Sequence, residues 1–178
     1  MASASVLLAA CGREQILGRA LPTEVSGLRS AAVTRIDAER LAAEAIEPEA
    51  LADVLDAAGF ASAVERSYTS TLPGVRRVDA VLVRFGSDAG AARYLDWLSD
   101  HASDLIGRAE LATEHGLDGV PIYIHLPDGC CPKEQVVALA AWRDGPYVAR
   151  VLVAGPDADG AEAVEMISAL RARVSTDA

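Results

Sequence analysis

The chain has 178 residues, a formal net charge of −10 and 51% hydrophobic residues. This length and composition suit one domain that buries a sizeable core. Nucleic acid is excluded as a predicted partner, because phosphate binding needs a basic surface and the longest run of basic residues is Arg76-Arg77. No apolar run approaches the roughly 18 residues of a transmembrane helix, so the sequence predicts no membrane-spanning segment.

The first feature in chain order is a short apolar stretch that ends in Leu8-Ala9-Ala10-Cys11. Small residues before a cysteine let a peptidase reach the bond before Cys11, whose thiol then accepts acyl chains. These four residues resemble the lipidation box of bacterial lipoproteins. Lys133 is the one lysine among 16 basic residues, which suggests a GC-rich genome. The chain therefore resembles the uncharacterised small lipoproteins of high-GC Gram-positive bacteria.

The resemblance implies that residues 1–10 are a signal segment and that Cys11 carries the lipid. It also implies attachment to the extracytoplasmic face of the cell membrane, since acyl chains bind the bilayer whatever the charge of the protein. Residues 1–10 contain no Lys or Arg, although signal segments usually begin with positive charge. A cytosolic structural or accessory subunit, with Cys11 as a buried small residue, is therefore an alternative.

After Cys11 the sequence predicts a tether over residues 11–33 and a single domain over residues 34–176. Residues 11–33 mix Gly, Pro, Ser, Thr and charged residues with little periodicity, and an irregular edge of the domain is the alternative interpretation. A helix is expected over residues 37–46. Pro48 then suits the first position of a second helix, which Gly59 ends with a left-handed cap.

Two segments of the remaining chain match at an offset of 70 residues. Residues 78–83 (VDAVLV) align with residues 148–153 (VARVLV), and Gly90-Ala91 aligns with Gly160-Ala161. Each copy is preceded by a hairpin signal and followed by a helix, so the pattern indicates two β-β-α units. The residues 119–126 alternate and predict a further strand, with Tyr123 and His125 on the side opposite Ile122 and Ile124.

These elements predict an α+β fold, in which an antiparallel sheet of about five strands has helices packed on one face. Adjacent cysteines are the other notable feature. In an oxidising compartment Cys130 and Cys131 would form a strained disulfide, stay free or link to a partner. His125 lies five residues before Cys130, which leaves a thiol, redox or metal-binding role as an alternative, although no fourth metal ligand is evident.

No Ser, Cys or His sits in a recognisable catalytic motif, so the sequence predicts no catalytic residues, no metal and no cofactor. The leading expectation is a membrane-anchored extracytoplasmic lipoprotein whose domain binds a small ligand or a partner protein. A pocket is expected on the sheet face away from the helices, where Tyr123 and His125 point, with contributions from Trp142 and Arg150. Its partners would be the membrane, through the lipid anchor, and an unidentified protein or small molecule.

Overall fold

The computed structural model describes residues 17, 19–25, 27–71, 76–106, 109–111, 120–125, 136–155 and 167–172. For residues 109, 110, 125, 136 and 137 only the backbone is described. Residues 1–16 lie outside these ranges, as do residues 72–75, which contain the hairpin signal before the first matching segment, and residues 156–166. Among the described residues, none of the helices combines the length and the hydrophobicity that spanning a bilayer requires.

Within the described ranges, nine strands form one sheet in which every pair of neighbours is antiparallel. The order across the sheet is β1-β2-β4-β5-β9-β8-β7-β6, and β3 also pairs with β4. The strands are β1 (Glu24–Val25), β2 (Leu28–Ser30), β3 (Thr34–Ile36), β4 (Phe60–Ser70), β5 (Arg77–Phe85), β6 (Ala109–Leu111), β7 (Ile122–His125), β8 (Val136–Asp144) and β9 (Tyr147–Gly155). The predicted α+β class with an antiparallel sheet is confirmed. The additional strands are two or three residues long, too short for alternation to reveal them.

The two segments that match at an offset of 70 are neighbours at the centre of the sheet. They lie in β5 and β9, which pair so that Val78 is opposite Val153 and Val83 is opposite Val148. Val153, which matches Val83 at the offset of 70, is opposite Val78, and Val78 lies five residues from Val83 along β5. An odd separation along a strand places side chains on opposite faces, so the two units present their matching residues to opposite faces of the sheet.

One face, called the first face, is covered by four helices. They are α1 (Ala38–Ala42), α2 (Pro48–Ala57), α3 (Asp88–Asp100) and α4 (Ala102–Ile106). Pro48 begins α2, as predicted, Asp37 caps α1, and Ser87 caps α3 by accepting a hydrogen bond from the Gly90 amide at 3.1 Å. Gly59 follows α2 with φ of 71°, as predicted for a left-handed cap. Val81, Val83 and Phe85 of β5 are among the sheet residues in this core.

The other face, called the second face, is covered by the chain around residues 19–21 and by the helical residues 167–171. Leu21, Ile167 and Leu170 pack there against Val151 and Val153 of β9. Helical segments therefore lie on both faces rather than on one. The register of β5 and β9 explains this arrangement, because Val83 and Val153 point to opposite faces of the sheet. Helix α3, which follows β5, packs on the face of Val83, and the helical residues after β9 pack on the face of Val153.

The described part of residues 11–33 is integrated with the domain. β1 and β2 extend the sheet beyond β4, and Leu21 is buried in the core of the second face. The hydroxyl of Tyr68 in β4 donates a hydrogen bond of 2.8 Å to the carbonyl of Pro22. These residues thus form the edge of the domain, which was the alternative to a tether.

Candidate functional site

A cleft of about 450 Å³ opens on the first face, where the helices leave part of the sheet uncovered. Its floor is formed by strands β4, β5 and β9, and its walls by α1, the residues that follow α1, and α4. The cleft is charged, with three arginines and three carboxylates, and a few apolar side chains complete it. Its lining residues are Arg40, Ala43, Glu44, Glu65, Arg77, Asp79, Leu105, Arg150 and Leu152.

Arg150 is the most unusual of these residues because its charge is buried at the centre of the sheet. It lies in β9 opposite Val81 of β5 and Ala141 of β8, and only 1% of its side chain is exposed. Its Nη2 donates to Oε2 of Glu44, whereas Nε and Nη1 have no hydrogen-bond partner among the described residues. Buried guanidinium groups are normally paired and hydrogen-bonded, so this one retains unused donor capacity.

The partner of this buried cation comes from a region distant in sequence. Glu44 follows α1 and is 106 residues from Arg150 along the chain, and its side chain is 30% exposed. Tyr94 of α3 lies close enough to Arg150 for the two side chains to interact, although its buried hydroxyl makes no hydrogen bond of full geometry within the described part of the chain. Burial raises the pKa of Tyr94, and Arg150 offsets part of that rise.

The charge of Arg150 is retained despite its burial. Desolvation alone would lower the pKa of its guanidinium, but the neighbouring Tyr94 and Glu44 oxygens outweigh that effect and raise it. Arg150 is therefore a cation on the floor of the cleft.

Two further ion pairs line the cleft nearer to solvent. Arg40 of α1 lies 2.9 Å from Glu65 of β4, and Arg77 lies 2.7 Å from Asp79 within β5. Asp79 also accepts a hydrogen bond of 2.6 Å from the hydroxyl of Ser67 on the neighbouring strand. The pair raises the pKa of Arg77, first through its hydrogen bond to Asp79. Each of the six charged groups therefore has an oppositely charged neighbour, and the cleft carries no net charge.

One wall of the cleft is apolar. Leu152 follows Arg150 by two residues on the same face of β9, and Leu105 of α4 lies beside it. Both pack in a small cluster with Tyr123 of β7 and Leu139 of β8. The cleft thus offers a buried cation next to an apolar surface.

The residues predicted from sequence to line a pocket are only partly brought together. Tyr123 and Arg150 lie on the first face, as does the cleft. The cleft is therefore on the face covered by α1 to α4, whereas the sequence led us to expect a pocket on the face away from the helices. Trp142 packs against the core of the second face, because it pairs with Ala149 and not with Arg150. His125 belongs to β7, where its backbone pairs with Ala109 of β6.

The three cysteines of the chain lie outside the described residues. The expected lipidation of Cys11 and the expected thiol, disulfide or metal role of Cys130 and Cys131 therefore stay predictions. Among the described residues, no group of three or more His, Cys, Asp or Glu side chains is placed to hold a metal ion.

Sequence reasoning predicted Arg150 and missed the other five charged residues of the cleft, of which Asp79 had left a signal. Asp79 and Arg150 each interrupt one of the two matching hexapeptides, whose other residues are all apolar. A charge inside a strand that is buried on both faces requires a partner, which indicates a polar site. By contrast, Arg40 in α1 and Glu44 just after it lie in a segment with several charged residues and resemble ordinary surface residues.

Comparison with known proteins identifies the fold. The extracellular domain of PknH from Mycobacterium tuberculosis is similar to this chain, with a TM-score of 0.55 and 12% sequence identity over 84% of this chain and 85% of that domain. No protein-family model matches the sequence. No curated protein matches it either. At this level of identity the similarity concerns the arrangement of the sheet and helices.

Proposed function

We propose that this protein is a lipid-anchored extracytoplasmic protein whose domain binds a small polar ligand in the Arg150 cleft. The observation that carries the binding role is the guanidinium of Arg150, which is 1% exposed, lines the cleft and keeps two nitrogens without a partner among the described residues. Ligand sites typically combine a concave surface with a few polar groups of this kind.

The extracytoplasmic location is supported by two independent features. One is the resemblance of Leu8-Ala9-Ala10-Cys11 to a lipidation box. The other is the similarity of the fold to a domain that is itself extracellular, that of PknH. A domain held at the membrane surface by Cys11 would be positioned to bind molecules outside the cytoplasm.

Metabolic labelling with a fatty-acid analogue tests the anchor. The wild-type protein should incorporate the label and fractionate with membranes, and the Cys11→Ser variant should do neither. Cys130→Ser is the matched control, because it removes a different cysteine and should leave labelling intact. Equal labelling of the wild type and Cys11→Ser, or no labelling of either, would exclude a lipid at Cys11.

Binding is tested separately on the isotope-labelled protein by NMR. Acetate, inorganic phosphate, acetamide, glycine amide and glucose are added in turn while the backbone amide signals are followed. At least one of these probes should cause saturable shifts centred on Glu44, Glu65 and Arg150, and those shifts should disappear in Arg150→Met. If neither these probes nor the amino acid and analogues used below bind saturably, the cleft is excluded as a site for small polar ligands.

A further inference from the structure

Arg150 has more binding capacity than Glu44 uses. A guanidinium group commonly holds a carboxylate through two parallel hydrogen bonds, which are stronger and more directional than a single one. Glu44 engages only Nη2, and Nε and Nη1 have no acceptor in the part of the chain that the structure describes. An incoming carboxylate could therefore bind Arg150 with better geometry than Glu44 does.

Glu44 is suited to be displaced. Its side chain is 30% exposed, in contrast to the 1% of Arg150, and it follows α1, a helix of only five residues. A carboxylate that is already partly hydrated loses little when it turns towards solvent, whereas Arg150 cannot leave the sheet. Glu44 thus occupies the position that the carboxylate of a ligand would take.

The charge balance of the cleft indicates what else the ligand carries. The three arginines and three carboxylates are balanced, and the chain as a whole has a net charge of −10. A purely anionic ligand would release Glu44 without a partner and add negative charge to a negative protein. A ligand that also carries an ammonium group would pair with the released Glu44, so every charge in the cleft would keep a neighbour of opposite sign.

The apolar wall indicates a third feature of the ligand. Leu152 lies two residues from Arg150 along β9, about 7 Å at the usual rise of a strand. Leu105 borders the same part of the cleft. An aliphatic group attached to the carbon that carries both the carboxylate and the ammonium would reach these leucines.

We propose that the cleft binds a free α-amino acid with an aliphatic side chain. Its carboxylate replaces Glu44 on Arg150, its ammonium pairs with the displaced Glu44, and its side chain contacts Leu105 and Leu152. This assignment rests on the proposed function, since it names the ligand of the same cleft.

Three matched probes test the assignment on the wild-type protein by NMR. L-Leucine carries both charges, isocaproate lacks the ammonium, and isopentylammonium lacks the carboxylate, while the aliphatic part is the same. L-Leucine should bind saturably and at least tenfold more tightly than either analogue, with shifts at Glu44, Arg150 and Leu152. Equal or tighter binding of isocaproate would overturn the assignment in favour of a simple anion site.

The Glu44→Gln variant adds a second readout. It removes the partner of the ammonium and the competitor for Arg150, so isocaproate should bind more tightly and the preference for L-leucine should fall at least tenfold. Asp53→Asn, which alters an exposed carboxylate of α2 outside the lining of the cleft, should keep the preference. An unchanged preference in Glu44→Gln would refute the exchange of partners.

The wild-type titrations distinguish the two levels of the proposal. If L-leucine does not bind but acetate, phosphate or another simple probe binds in the cleft, the amino-acid assignment is wrong and the binding role stands. If no probe binds saturably, both are wrong.

Discussion

Replacing Arg150 by methionine should leave the protein as stable as the wild type or more stable, an unusual result for the truncation of a fully buried side chain. Methionine fills a similar elongated space and carries no donor that needs a partner. The substitution removes Nε and Nη1, which have no partner among the described residues, and it removes a desolvated charge.

The magnitude follows from these groups. An unsatisfied buried polar group costs about 1–3 kcal/mol. Against that gain stands the lost pair with Glu44, whose carboxylate is 30% exposed and can hydrate fully when it is released. We expect a net stabilisation of about 1–3 kcal/mol, and for a chain of this length each kcal/mol raises Tm by about 2–4 °C.

The opposite change at the same ion pair should have the opposite sign. Glu44→Gln leaves the guanidinium of Arg150 buried without a counter-charge, and the amide oxygen compensates only in part. We expect a loss of about 1–3 kcal/mol. In the Arg150→Met background the Glu44→Gln substitution should cost almost nothing, because the charge that it served is absent, and this double-mutant cycle isolates the coupling.

Urea denaturation monitored by circular dichroism measures these differences as shifts of the midpoint at constant slope. Arg77→Met is the matched control: it removes a guanidinium from another ion pair of the same cleft, but that side chain is 60% exposed. Its effect should stay within about 0.5 kcal/mol. If Arg150→Met destabilises the protein by more than about 1 kcal/mol, Arg150 is a structural residue and the inference of unused binding capacity loses its basis.

Three further substitutions test the fold. In Gly90→Ala the added methyl would lie 1.9 Å from the carbonyl oxygen of Ala58, so we expect the free energy of unfolding to fall by about 1–3 kcal/mol or more. Gly86→Ala is the control and should change it little, because the nearest atom to its added methyl is 3.6 Å away. Ser87→Ala removes the α3 cap and should cost about 0.5–2 kcal/mol in the same urea assay. Burial raises the pKa of Tyr68 to about 12. Its stabilising effect is therefore complete below about pH 10, the ordinary pKa of tyrosine, and is lost as the pH rises through about 12. The free energy of unfolding, followed by circular dichroism at alkaline pH, should fall less steeply with pH in Tyr68→Phe than in the wild type. An equally steep transition in Tyr68→Phe would show that Tyr68 does not contribute to this pH dependence.

The local elements were predictable because their signals are local. The caps at Asp37 and Ser87, the first-turn Pro48 and the left-handed Gly59 each specify a helix end through the backbone within a few residues. The paired strands β4–β5 and β8–β9 follow from their apolar runs and from the turn chemistry of Gly145. The short strands β1, β2 and β3 were not predictable, since two or three residues carry no periodicity.

The cleft was hidden for a different reason. Its central ion pair joins two residues that are 106 positions apart, and nothing near Glu44 in the sequence indicates a partner in β9. Trp142 and Arg150 belong to neighbouring strands, yet their side chains lie on opposite faces, because the register aligns Trp142 with Ala149. A register shift of one residue would have reversed that outcome, and local sequence does not specify such a shift.

The sequence by itself determined the α+β class, the starts of the main helices and the two matching β-β-α segments, because backbone preferences and hydrophobic periodicity act over a few residues. The tertiary structure decided that β5 and β9 are neighbours, that their matching residues face opposite sides of the sheet and that helical segments therefore cover both faces. It also decided that Arg150 is a buried cation beside Glu44 rather than an exposed strand residue. These features depend on strand register and on contacts between distant segments, which packing of the whole domain selects.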